Sequence, residues 1–93
     1  MERKFRILSV KKANQKSFHL QLQGDFDGTS AYELADALLK CSAHVSDVAV
    51  NTDGLRNINA FGLDVFSIQL KKLRKTATRI DFTGRYKTMF AQE

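Results

Sequence analysis

The apolar run Val48-Ala49-Val50, set between two stretches of helical periodicity, restricts the fold of this chain more than any other feature. A strand over Val45 to Asn51 with such a run reads as buried on both faces, and therefore as central in a sheet. Before it, Leu34, Leu38 and Cys41 form one stripe with Ala31, Ala35 and Leu39 beside it, predicting a helix over Ser30 to Ser42. After it, Leu63, Phe66, Leu70 and Leu73, widened by Val65 and Ile68, predict a helix from Ala60 to about Lys75. Ser30-Ala31-Tyr32-Glu33 has the form of a capping box, with the serine as N-cap.

The flanks read as strands. Phe5, Ile7 and Leu8 to Val10 form one; Phe18, Leu20 and Leu22, alternating with His19, Gln21 and Gln23, form a second. The polar segment Lys11 to Lys16 between them has hairpin-loop length, which makes the pair antiparallel neighbours. Arg79-Ile80-Asp81-Phe82 is a last short strand, followed by Thr83-Gly84 and a terminal helical turn carrying Tyr86, Met89 and Phe90. The order β-β-α-β-α-β-α predicts an α/β domain with parallel pairing after the first hairpin and helices covering at least one face. A chain of 93 residues holds one such core, so residues 1–93 are expected to form a single domain.

Composition excludes several classes. No apolar run approaches the roughly 20 residues needed to cross a bilayer, so no membrane insertion is expected. The opening Met1-Glu2-Arg3-Lys4-Phe5-Arg6 reads as the start of a charged amphipathic strand rather than a signal peptide. Cys41 is the only cysteine, which rules out an internal disulfide and cysteine-rich zinc sites. Its place on a helical stripe marks it as a small buried hydrophobe. A reducing, cytoplasmic setting is expected.

The net charge of +5 is unevenly laid out. Basic residues crowd the first segment (Arg3, Lys4, Arg6, Lys11, Lys12, Lys16) and the last third (Lys71, Lys72, Arg74, Lys75, Arg79, Arg85, Lys87). The middle carries Asp25, Asp27, Glu33, Asp36, Asp47, Asp53 and Asp64 against Lys40 and Arg56 alone. This suits a partner of mixed charge better than nucleic acid. The lysines ending the second helix complement its dipole and have no interleaved aromatics, which argues against a nucleic-acid surface.

Candidate function centres on Asn57-Ile58-Asn59-Ala60-Phe61-Gly62-Leu63, which opens the second helix. A hydroxyl at such a helix start would be a natural place for phosphate, because free N–H groups and the dipole stabilise a dianion. Ala60 stands there instead, and no nucleophile lies in the run. The segment reads as a recognition surface.

These residues resemble the STAS domain, typified by bacterial anti-sigma factor antagonists, over about residues 18 to 90. The resemblance is carried by Gly24-Asp25-Phe26-Asp27, a strand end leading into a helix, and by Asn59-Ala60-Phe61-Gly62-Leu63 after a buried strand. It implies a mixed four-stranded sheet with helices packed mainly on one face. It also implies a protein-binding module whose partner is of the anti-sigma, serine-kinase kind. In phosphorylated members the kinase modifies a hydroxyl where this chain has Ala60, and an aspartate is usual where it has Asn59. A phosphorylation switch at Ala60 is therefore chemically impossible here. Asp27, Asn57, Ile58, Asn59, Ala60, Phe61, Gly62 and Asp64 are the expected partner-binding residues. Two other readings stay open: an accessory subunit of a membrane transporter ATPase, and a binder of a phosphate ligand such as a nucleotide.

Other residues carry plainer readings. Asp25 and Asp27 could in principle divide acid and base roles, but their place at a strand end beside glycines fits a turn and helix cap. His19 and His44 lie on separate elements with no cysteine near them, so neither a metal site nor a cofactor is expected. Ser67, one turn into the second helix, is expected to face a neighbour or solvent. Phe61 has two readings, core packing or an outward anchor.

Overall fold

The computed structural model describes residues 5–11, 17–75 and 78–91. Arg3, Lys4, Lys12 and Lys16, and most of the expected polar turn at 11–16, lie outside them. Strands β1 (Arg6–Lys11), β2 (Ser17–Phe26), β3 (Asp47–Ile58) and β4 (Arg79–Thr83) form one sheet in the order β1-β2-β3-β4. Helices α1 (Gly28–Ser42), α2 (Ala60–Leu73) and the short α3 (Lys87–Phe90) complete the expected element order. β1 and β2 pair antiparallel, while β2 with β3 and β3 with β4 pair parallel, as a hairpin followed by two strand-helix-strand units requires.

The sheet has one buried face. Leu20 and Leu22 of β2, Val48, Val50 and Thr52 of β3, and Ile80 and Phe82 of β4 all point into the core, against Ala31, Leu34 and Leu38 of α1 and Phe66, Leu70 and Leu73 of α2. β3 is central, as its run predicts, but it is not buried on both faces: its alternating burial leaves Asp47 exposed and Ala49 and Asn51 half-exposed. The helices stand on one side, and the other side is a polar row structure in which Gln21 pairs with Asn51 and Asn51 with Thr83.

β3 is also longer than the expected Val45–Asn51. Between Asn51 and Gly54 it advances three positions while β2 advances from Gln21 to Gln23, and between Leu55 and Asn57 it advances two against one from Gly24 to Asp25. Each step is a bulge on β3, and each changes which side chains face inward. Leu55 is thereby returned to the core. A Cβ on Gly54 would lie 2.5 Å from the Leu22 carbonyl oxygen, so the first bulge brings backbone against backbone where only glycine fits.

Four phenylalanines from four elements lock the far end of the sandwich. Phe26 closes β2, Phe66 lies in α2, Phe82 in β4 and Phe90 in α3, with ring centroids 4.9 Å apart for Phe26–Phe90 and 6.1 Å for Phe26–Phe66. Most of these contacts are edge-to-face, the arrangement ring quadrupoles favour. The buried Thr52 hydroxyl donates to the Thr83 carbonyl at 2.8 Å and accepts from the Tyr86 N–H at 3.0 Å, tying the turn before α3 to the sheet.

Two expected apolar positions are corrected. Leu39, placed beside the α1 stripe, is 55% exposed, and Ile68, placed on a widened α2 stripe, is 58% exposed. Both fall outside the arc that the sheet can cover, since one sheet face accepts only part of a helix circumference.

Candidate functional site

Two helix starts meet at the end of β2 and β3. The β2 backbone leaves Phe26 and becomes α1 at Gly28, while β3 leaves Ile58 and becomes α2 at Ala60. The Asn59 N–H donates to the Phe26 carbonyl at 2.8 Å, so the two exits are stitched together at their last paired residues.

Each start is capped by the side chain just before it. Asn59 Oδ1 accepts from the N–H groups of Phe61 at 2.8 Å and Gly62 at 3.2 Å. Asp27 Oδ1 accepts from the Ser30 N–H at 2.9 Å. The N-cap of α1 is therefore Asp27, and the expected capping box on Ser30 is not formed. Ser30 lies inside the first turn, fully buried, with its Oγ 3.0 Å from both the Asp25 carbonyl oxygen and Asp27 Oδ1. The Asp27 carboxylate adds a negative charge at the positive end of the α1 dipole to its capping bond, while the Ser30 hydroxyl is used on Asp25 and Asp27.

The starts approach as closely as backbone allows. A Cβ on Gly62 would lie 2.7 to 3.0 Å from the backbone atoms of Asp27, which fixes α2 against the β2–α1 turn. Phe61, next to it, turns outward and is 67% exposed. Of its two readings the structure selects the outward one.

The remaining expected residues divide between surface and support. Asn57, Asn59, Ala60 and Asp64 are exposed, Asp27 is half-buried, Ile58 is half-buried and packed on the core, and Gly62 is buried. Ile58 and Gly62 therefore shape the knuckle from beneath. Asn57 Nδ2 donates to Asp25 Oδ1 at 3.0 Å, and the Arg56 guanidinium lies 3.8 Å from the same oxygen. Arg56 had no expected role, and its position follows only once the second bulge sets the phase of β3. On the α3 side, Ala60, Leu63, Asp64 and Ser67 border a groove closed by Met89 and Phe90. On the α1 side, Phe61 and Val65 face Gly28, Thr29 and Tyr32 across a shallow apolar cleft. Tyr32 and Gly28 were missed; the spacing of Phe61, Val65 and Ile68 at i, i+4 and i+7 was the available signal for a second stripe.

The two carboxylates at the end of β2 are both engaged in local contacts, that of Asp27 in capping and that of Asp25 with Asn57 and Arg56. His19 lies in β2 and His44 in the turn after α1, and among the described residues no three His, Cys, Asp or Glu side chains gather as a metal set. Cys41 is half-buried, and burial pushes its thiol pKa up. No helix among the described residues is long and apolar enough to cross a membrane.

No family model matches the sequence, and no curated protein matches it. Solved structures do. An anti-sigma factor antagonist from Mycobacterium paratuberculosis matches 90% of this chain and 71% of its own, at 17% identity and a TM-score of 0.66. The Bacillus anti-sigma factor antagonist SpoIIAA, in its unphosphorylated form, matches 84% of this chain and 70% of its own, at 14% identity and a TM-score of 0.57. A structure of Mglu matches 81% of this chain at 19% identity and a TM-score of 0.67, yet this chain spans only 18% of the Mglu chain. At these identities the likeness concerns architecture, and the architecture is the STAS-like one.

Proposed function

We propose that this chain is a non-enzymatic, STAS-type interaction module that regulates a protein partner by stoichiometric binding. The surface is the knuckle formed by Asp27, Asn57 to Gly62 and Asp64. The observation that carries the reading is Phe61: a large aromatic ring, 67% exposed, on the first turn of a helix whose start is pinned by Asn59 and by the Gly62–Asp27 approach. A rigid, solvent-facing aromatic gives binding energy at little conformational cost. Ala60, beside it, is exposed where the resemblance places a phosphorylated hydroxyl, so binding at this surface is not switched by modification there. The partner class that the resemblance suggests is an anti-sigma factor of the serine-kinase type, in the cytoplasm.

The test is titration of the chain against candidate partners, anti-sigma kinases and transporter ATPases among them, by calorimetry. Phe61→Ala should weaken binding by at least about 30-fold, corresponding to a loss of about 2 kcal/mol. An unchanged affinity for Phe61→Ala and for Asp64→Lys would show that the contact lies elsewhere.

A further inference from the structure

Among the described residues, six large hydrophobic side chains stand exposed, and Tyr32, Leu39, Phe61 and Ile68 share the outer face of the α1–α2 pair. They form two pads per helix, each pair seven residues apart, or about 10.5 Å along the axis. A shallow trough runs between the helices, with Tyr32 facing Phe61 and Val65 at one end and Leu39 facing Gln69, Lys72 and Leu73 at the other. The helices therefore run parallel, their N-terminal halves side by side.

The charges on this face are sorted by the same direction. On α1, Glu33 and Asp36 precede Lys40, with which Asp36 forms an ion pair at 3.0 Å; on α2, Asp64 near the start precedes Lys71 and Lys72 in the last turn, followed by Arg74 and Lys75. All are exposed. Such a face is complementary to itself in one orientation. Laid parallel, two copies would set acid on acid and base on base. Laid antiparallel about a two-fold axis near Ile68, they set Asp64 of each copy against Lys71 of the other, keep the basic helix ends apart, and cover all eight pads. The separation of the basic ends matters because a chain of net charge +5 otherwise repels its copies.

We propose that this face is the docking surface for a second copy of the chain, antiparallel, with α2 against α2. The pairing itself does not depend on the binding function above; its regulatory consequence rests on that reading. Because Phe61 belongs to both surfaces, self-association withdraws the knuckle from any other partner, an off state that needs no hydroxyl at position 60.

Sedimentation of the full chain alone, without any partner, tests this. The mass should rise from one chain toward two as concentration increases. Ile68→Glu should hold the protein at one chain throughout, with an unchanged circular dichroism spectrum showing that this exposed position leaves the fold intact. Asp64→Lys and Lys71→Glu should each weaken the dimer, and combining both substitutions in one chain should restore it, since the exchanged charges then match only between antiparallel copies. A mass of one chain at all concentrations would overturn the proposal, whatever occupies the face instead. A dimer indifferent to Ile68→Glu would overturn the choice of face, and a failed rescue the antiparallel arrangement.

Discussion

The ring of Phe61 lies across Gly28: a Cβ at position 28 would sit 3.1 Å from Phe61 Cε2. The exposed anchor of α2 thus rests on the first residue of α1, and the orientation of the one depends on the smallness of the other. Gly28→Ala should push the ring aside while leaving stability within about 1 kcal/mol, because the displaced atom is the free end of a side chain and alanine favours the helix. Calorimetric titration beside thermal melting separates the two effects: partner affinity is expected to change and the melting temperature to hold.

Gly62 is the opposite case. The atoms within 3.0 Å of its virtual Cβ belong to the Asp27 backbone, which is held by its own hydrogen bonds and cannot yield as a side chain can. Gly62→Ala should destabilise the fold by about 1–3 kcal/mol, read from urea unfolding. A neutral result would mean that the two helix starts are not in contact in solution.

Asn59→Ala removes the acceptor for the Phe61 and Gly62 N–H groups and should cost about 1 kcal/mol. Asn59→Asp should instead gain about 0.3–1 kcal/mol, because a negative charge replaces a neutral amide at the positive end of the helix. The two variants together, compared in low-salt unfolding, distinguish capping from packing.

These predictions also mark what the sequence could and could not express. The hairpin, both crossover helices and the last strand were legible because each carries an uninterrupted period of burial, as in Leu20 and Leu22 or Leu34 and Leu38. The second half of β3 was not. Asn51-Thr52-Asp53-Gly54 is a run of loop-forming residues, and only the two bulges, together with an internal partner for the Thr52 hydroxyl, make it part of a strand. Ser30 misled for a related reason: its buried hydroxyl is satisfied by Asp25 and Asp27, so a polar residue occupies a core position and imitates a cap. At the knuckle Asn57, Asn59, Ala60 and Asp64 are exposed while Ile58 and Gly62 lie beneath, and the direction of Phe61 was not legible, since a helix start leaves both inward and outward rotamers open until the neighbouring turn is placed.

Thr52→Val keeps the shape of the side chain and removes both hydrogen bonds, leaving the Thr83 carbonyl and Tyr86 N–H without this partner. A loss of about 1–3 kcal/mol is expected. The Tyr86 amide should exchange its hydrogen faster than in the parent, which places the loss at the link to α3.

The Cys41 thiol, whose pKa is raised by burial, is favoured in its neutral form when the chain is folded. Its contribution to stability is therefore fully present below the ordinary thiol value of 9.0 and declines as pH rises through the folded value. Alkylation at mildly alkaline pH should be slower than for a free thiol, and unfolding in denaturant should restore the ordinary rate.

β4 accompanies β3 only as far as Asn51, opposite Thr83, whereas β3 continues to Ile58 with β2 as its paired strand. β1 reaches Gln23 through Arg6, so only the last stretch, 24–26 against 55–58, is a two-stranded ladder, and it carries the knuckle past the four-stranded base. Phe26 ends this ladder opposite Ile58 and packs on Phe66 and Phe90, so a displacement of the tip would press directly on α2 and α3 through the phenylalanine cluster.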